Sequence, residues 1–283
     1  MFMSFLRGRQ LTTPDARPIH TDAGGAVAVC ALLDRQGWKS CLWTLVSFYG
    51  FAQCKHPLVV YDDGPLSTSS HKAILRLFPN ASIIDRRCAD LVIPRALADY
   101  PNCVRLRQTA QWARRIIDLP LLCGAKRILM LDDDVLFFKY PEKLLVRLAS
   151  GEAGEFVSGR AMDNPCAHSP DQVFERFGVH INEWVSRGVM LADVSEFPYG
   201  PLDHWLDGLE RDSRSWGEQA LWTMYADNNR SAFVGRENDV KASPDLELES
   251  VSKRYLARDR GTSYGEGAMR VREELLSRGV FER

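Results

Sequence analysis

Arg127 to Lys139 reads RILMLDDDVLFFK, and this stretch decides the fold. Ile128, Leu129, Met130 and Leu131 form a short apolar run, bounded by Lys126 and Arg127. Asp132, Asp133 and Asp134 follow, and then Val135, Leu136, Phe137 and Phe138. An apolar run of that length fits a strand buried on both faces, as in a parallel sheet with helices on either side. Three carboxylates at the end of such a strand repel one another and lose water at a cost, so a cation is their natural partner. Side chains two apart on an extended segment point the same way, so Asp132 and Asp134 converge and Asp133 points elsewhere. Hard oxygen ligands suit Mg²⁺ or Mn²⁺, with water and phosphate oxygens completing the shell. A solvated turn is the plainer alternative, because Asp is a common turn residue. The flanking apolar runs place this cluster at the edge of a core.

Outward from this stretch, strands and helices alternate. Ala26–Leu33 (AVAVCALL), Leu58–Tyr61 and Ala81–Ile84 read as strands. Between them, Lys39–Tyr49 carries Leu42, Leu45, Val46 and Tyr49 at helical spacing and stops at Gly50. Ser67–Phe78 is a second helix. One longer helix is expected over Val104–Ile117, with Leu106, Ala110, Ala113, Ile116 and Ile117 on its face and Pro120 just beyond its end. Pro141 opens the helix after the acidic strand. Such alternation predicts a parallel α/β sheet with right-handed crossovers. After residue 150 the pattern loosens. Glu155–Ser158 and Val185–Asp193 read as strands, the latter with an interior Gly188 that signals close approach of a backbone or a ligand. Pro201–Leu209, Glu218–Tyr225 and Glu266–Leu276 read as helices, and Arg236–Glu249 is polar.

The bulk numbers exclude several classes. The chain has 283 residues, 45% of them hydrophobic and 26% charged, which is the range of an ordinary globular protein. A formal net charge of −1 gives no case for nucleic acid or an anionic membrane as partner. The seven cysteines are odd in number and lack close Cys-x-x-Cys spacing, so buried thiols in a reducing compartment are the simplest account. MFMSFLRGRQ is too short in apolar residues for a signal peptide, and no stretch is long enough to span a bilayer. A cytoplasmic protein is expected. Phe2, Met3, Phe5 and Leu6 with Arg7 and Arg9 offer a loose peripheral membrane contact, though a disordered end explains them as well.

The ordered set of Leu131-Asp132-Asp133-Asp134, then Gly188-Val189-Met190-Leu191, then Glu218-Gln219, resembles the GT-A glycosyltransferases. The similarity is to the glycogenin and bacterial lipopolysaccharide galactosyltransferase group and spans about residues 26–267. It implies an α/β GT-A fold with a mostly parallel, Rossmann-like sheet and helices on both faces. Residues 1–25 would be a lead-in and 26–283 one domain, with a nucleotide-binding half over 26–150 and an acceptor-side half over 151–283. It also implies a metal-dependent transfer of sugar from a nucleotide-sugar, usually a UDP-sugar, to the hydroxyl of a glycan, lipid or protein acceptor, with retention.

The resemblance distributes roles residue by residue. Asp132 and Asp134 would hold Mn²⁺ or Mg²⁺ against the donor diphosphate, and Asp133 would face the sugar or ribose. Arg115, with Arg114 as its rival, would reach the donor. Glu218 would stand near the anomeric carbon and Gln219 would touch the donor. Two positions depart from the pattern. Ser186 stands where the group commonly has Asn, and Arg187 follows it. Arg254, in Lys253-Arg254-Tyr255, stands where the group often has a metal-binding His. A cationic side chain cannot ligate a metal, but it can contact a diphosphate directly. Arg187, Gly188 and Arg254 therefore join Arg115, Asp133 and Ser186 as donor-binding candidates. Arg258, Arg260, Tyr264 and Gly265 resemble the stretch that covers the donor.

Two other functions fit parts of the sequence. A haloacid-dehalogenase-like phosphatase would use Asp132 as nucleophile and Asp134 as acid. That motif usually opens its fold, whereas about 130 residues precede it here. A sugar-nucleotide-binding protein without transferase activity would accommodate the departures at Ser186 and Arg254.

Overall fold

The computed structural model describes residues 11–64, 66–160, 169–181, 185–209, 217–227, 230–233, 251–255 and 262–282. The apolar runs become the centre of a seven-stranded sheet. Its strands are β1 (Val27–Leu33), β2 (Leu58–Asp62), β3 (Ser82–Asp85), β4 (Arg127–Leu131), β6 (Glu155–Arg160), β7 (Val185–Asp193) and β8 (Arg230–Phe233). They lie in the order β3-β2-β1-β4-β7-β6-β8. The first four are mutually parallel. β7 runs antiparallel to both neighbours, and β6 and β8 are again parallel to each other.

Alternate residues of β1 feed two cores. Val27, Val29, Ala31 and Leu33 join one apolar cluster, and Ala28 and Cys30 join the other. This explains why β1 carries no polar residue, since both of its faces are covered. The first face is covered by α1 (Trp38–Ala52), α2 (Thr68–Leu77), α6 (Glu142–Ser150) and α10 (Thr262–Leu276). The second is covered by α3 (Arg86–Ala96), α5 (Ala113–Leu122), α7 (Pro170–Phe177), α8 (Tyr199–Leu209) and α9 (Glu218–Asp227). α4 (Pro101–Thr109) lies between α3 and α5 in the chain and buries Cys103 and Arg107.

Three expectations are corrected. The single helix over 104–117 is two helices, because Ala110 is extended at φ −124° and ψ 116° and breaks the run. Pro120 lies inside α5 rather than beyond its end. α1 continues through Gly50 to Ala52 and ends at Gln53, whose φ is 50°. Gly50 is buried because Leu275 of α10 packs over it; a Cβ there would stand 2.7 Å from Leu275 Cδ1. The segment 86–96 forms α3, with Pro94 inside it. The polar stretch 236–249 lies outside the described residues, as do Phe2, Met3, Phe5, Leu6, Arg7 and Arg9.

After β1 the chain crosses to β2 on one side, and later it returns to β4 on the other. The order therefore reverses between β1 and β4. In open α/β sheets ligands bind beyond the carboxyl ends of the strands at such a point. Asp34 follows β1 and Asp132 follows β4 at that place. A separate two-stranded ladder of β5 (Val135–Phe137) and β9 (Ser252–Arg254) sits beside it, pairing Val135 with Arg254.

Candidate active site

β4 ends at Leu131, so Asp132–Asp134 form a turn rather than an extended segment. Asp132 and Asp134 still converge, but on a guanidinium. Arg254 Nη2 donates to Asp132 Oδ2 at 2.9 Å. Its Nε lies 3.2 and 3.4 Å from the two oxygens of Asp134. Backbone pairing sets this contact: the β5–β9 ladder holds Arg254 opposite Val135, and the Tyr255 N–H donates to the Asp134 carbonyl at 2.8 Å.

Gly188 makes room for that side chain. It lies on β7 beside Asp132, whose N–H donates to the Gly188 carbonyl at 3.0 Å. A Cβ on Gly188 would stand 3.0 Å from Arg254 Cδ and 3.2 Å from Val135 Cγ2. The close approach read from the sequence is thus made by side chains.

Two further arginines reach the same carboxylate. Arg115, in the first turn of α5, donates through Nη1 to Asp132 Oδ1. Arg187 Nε lies 3.6 Å from Asp132 Oδ2, with its side chain 40% exposed. Burial pushes the Asp132 carboxyl up, but Arg115, Arg254 and Arg187 together pull it below its ordinary value. Glu218, at the start of α9, is buried and lies 3.5 Å from Arg115 Nε and 3.7 Å from Arg187 Nη1. Trp222 Nε1 donates to it at 3.3 Å, one helical turn on. Burial, helped by the charge of Asp132, keeps the Glu218 carboxyl above the usual range against the pull of both arginines.

Asp133 turns the other way, toward the N-terminus of α1. Ser40 Oγ lies 3.5 Å from its Oδ2, and a side chain on Gly37 would overlap that oxygen. Two cavities meet here. One of about 560 Å³ is lined by Asp34, Gly37, Lys39, Ser40, Asp133, Asp134 and Tyr264, among others. The other, about 320 Å³, is lined by Asp34, Gln111, Trp112, Arg115, Asp132, Asp133, Arg187 and Glu218, with Leu32. Asp34 and Asp133 line both, so the cavities are two parts of one cleft.

Arg115, Asp132, Asp133, Asp134, Arg187 and Glu218 line this cleft, whereas Gly188 and Arg254 line neither cavity and lie against Asp132 from behind. Arg114, the rival of Arg115, pairs instead with buried Asp63. Ser186 is buried on β7 opposite Gly159 and lines neither cavity. Gln219 lines neither cavity, and its carbonyl accepts from Thr223 Oγ1. Arg258 and Arg260 lie outside the described residues, whereas Tyr264 is buried and donates to the Ser40 carbonyl at 2.8 Å. Sequence reasoning missed Asp34, Gly37 and Ser40. Asp34 was discoverable, since it directly follows a parallel strand at its carboxyl end.

A divalent ion fits these residues poorly. Both oxygens of Asp132 face guanidinium groups, and Arg254 already spans Asp132 and Asp134. Among the described residues no group of three His, Cys, Asp or Glu side chains is placed to hold a metal.

Solved structures share this architecture. Mouse xyloside xylosyltransferase 1 superposes with a TM-score of 0.58 at 13% identity, over 86% of this chain and 99% of that one. The galactosyltransferase LgtC, solved with donor and acceptor sugar analogues, gives 0.56 at 14% identity, over 89% and 95%. The bifunctional glycosyltransferase WbbM gives 0.58 at 11% identity, over 88% of this chain and 51% of that one. The fold is GT-A. No family model matches the chain, and no curated protein sequence does either. The GT-A sheet accounts for the cleft's position, and the expectation of a mostly parallel sheet with helices on both faces holds. Among the described residues, no helix of this GT-A chain is long and apolar enough to cross a membrane.

Proposed function

We propose that this protein transfers a sugar from a nucleotide-sugar, a UDP-sugar by resemblance, to an acceptor hydroxyl on a glycan, lipid or protein. The observation that carries the reading is the Arg115–Asp132–Glu218 constellation at the sheet's switch point. It places cations and a buried acid around one cavity of a GT-A fold.

Glycosyl transfer breaks the bond from the anomeric carbon to a phosphate oxygen, and the electron pair leaves with the diphosphate. The new bond forms to the acceptor oxygen, whose proton passes to the departing phosphate when configuration is retained. Guanidinium groups beside the leaving group stabilise its growing charge, and they do so best where water is excluded. By resemblance, the Glu218 carboxylate steadies the positive charge on the sugar, and its place on the cavity wall supports that role. Arg115 and Arg187 lie beside it, and retention is carried over from the resemblance. The larger cavity, between Asp34 and Tyr264, has room for the nucleoside.

The phosphatase alternative needs Asp132 as a nucleophile, and both of its oxygens are engaged by arginine. We place the reaction in the cytoplasm, in keeping with free thiols at Cys30, Cys41, Cys54, Cys88, Cys103 and Cys123.

The test is a panel of nucleotide-sugars, read by thermal shift and by nucleoside diphosphate release with simple sugar acceptors. Stabilisation by one donor, with release that rises when an acceptor is added, is the expected result. Binding without release on any acceptor would favour a sugar-nucleotide-binding protein. No stabilisation by any donor would end the reading.

A further inference from the structure

We infer that Arg254 and Arg187 take the place of a divalent cation, so that this site binds a donor diphosphate without metal. The inference rests on the nucleotide-sugar reading above and concerns how that donor is held.

Three observations carry it. First, the guanidinium of Arg254 occupies the position between Asp132 and Asp134 that an ion shared by these carboxylates would need. A magnesium-sized ion binds oxygen at about 2.0–2.1 Å, so one bound to both carboxylates would meet the guanidinium face to face. Second, Arg254 is built in. The β5–β9 register sets its backbone, the Tyr255 N–H bonds the Asp134 carbonyl, and a glycine at 188 clears its path. Third, Arg187 brings a second guanidinium to the same oxygen, Asp132 Oδ2, at 3.6 Å. The two arginines together carry the formal charge of a divalent ion. Arg254 is held from below by carboxylates, and Arg187 is 40% exposed at the cavity wall. Guanidinium groups offer paired donors matched to phosphate oxygens.

The arrangement also explains why Asp132 and Asp134 remain useful without an ion to ligate. They orient Arg254 and spread its charge, as carboxylates orient other catalytic cations. On this view Arg187, at the cavity wall, meets the diphosphate, and Arg254 supplies its charge from behind Asp132 and Asp134, which line the cleft and hold it in place.

The experiment is calorimetric titration of the full chain, freed of metal over a chelating resin, with UDP, GDP, dTDP and ADP. Each is run in EDTA and again in Mn²⁺ or Mg²⁺. The expected result is that at least one nucleotide binds in EDTA with a Kd within about threefold of its value with metal. Arg187→Gln, on a half-exposed side chain, leaves the melting temperature in place and weakens binding in EDTA about tenfold, the loss of a charge-assisted contact. Arg254→Gln weakens it at least as much, and Arg254→Lys restores part of it. Binding that requires Mn²⁺ or Mg²⁺ in the parent protein overturns the inference and leaves the glycosyltransferase reading intact. Undiminished binding in both Gln variants also overturns it, and gives Arg254 a merely structural role. Failure of every nucleotide in both buffers removes the donor reading itself, and this inference with it.

Discussion

Arg254 runs directly over Gly188, with its Cδ 3.0 Å from where a Cβ at 188 would stand. Contact that tight forces one partner to move, and Arg254 is pinned at its far end by two carboxylates. Gly188→Ala is therefore expected to displace the guanidinium, weakening nucleotide binding about tenfold and costing about 1–3 kcal/mol of stability, as overpacking does. Measured in an Arg254→Ala background, most of that cost should disappear, because residues in contact give non-additive effects. Equal cost in both backgrounds would assign the clash to Val135 instead.

Asp132 should make stability depend on acid. Its folded pKa lies below its ordinary value, burial notwithstanding, because Arg115, Arg254 and Arg187 favour the ionised form. A depressed carboxyl contributes stability above its unfolded pKa, near 3.9, and loses it as pH falls through the folded value. Asp132→Asn is expected to melt below the parent at pH 7, with the gap narrowing once the pH drops below about 4. Thermal melts across that range decide it; a gap independent of pH would contradict the ion pairing.

Glu218 moves in the opposite direction. Burial and Asp132 raise its pKa against Arg115 and Arg187. Protonation therefore persists to higher pH in the folded chain than in the unfolded one, and the stability this contributes is lost as pH rises through the raised value. If the ionised form steadies the sugar cation, the rate should climb with pH on a limb above the ordinary Glu value of about 4.3. Glu218→Gln should abolish that limb and slow transfer about a hundredfold while donor affinity stays near that of the parent. A pH–rate profile with the limb intact in the variant would remove Glu218 from the chemistry.

Stability away from the cleft depends on a buried pair that joins α4 to α5. Arg107 Nε donates to Asp118 at 2.8 Å, and Tyr61 Oη donates to the same carboxylate at 2.5 Å. Asp118 is fully buried. Asp118→Ala leaves a buried cation without its partner and is expected to cost about 3–5 kcal/mol. Denaturant unfolding measures it, and a loss under about 1 kcal/mol would show that Arg107 finds compensation in Asp90, 2.8 Å away.

The sheet was legible because β1, β2 and β4 lie between two cores and carry apolar residues at nearly every position. The region 86–122 was not. Leu106, Ala110, Ala113 and Ile116 keep helical spacing across a break that only the backbone at Ala110 reveals. Pro94 and Pro120 lie within helices, against their usual reading as stops. The Asp132–Asp134 cluster stands out from residue type alone, as acidic residues after a buried strand, whereas Arg115 and Glu218 were suggested only by the resemblance; all of them line the cleft. The pairing of Arg254 with Asp132 was beyond reach, because 122 positions separate them and only the short β5–β9 ladder brings them together. Ser186 and Gln219, expected from the resemblance, line neither cavity.

That same separation has a consequence during biosynthesis. Arg115, Asp132 and Asp134 leave the ribosome long before Arg254 does, so the nascent amino-terminal half presents a mutually repelling acidic rim with one guanidinium to quiet it. The late ladder strand therefore acts as a latch: until it is translated and zipped against Val135, Asp132 and Asp134 lack the guanidinium that later joins them.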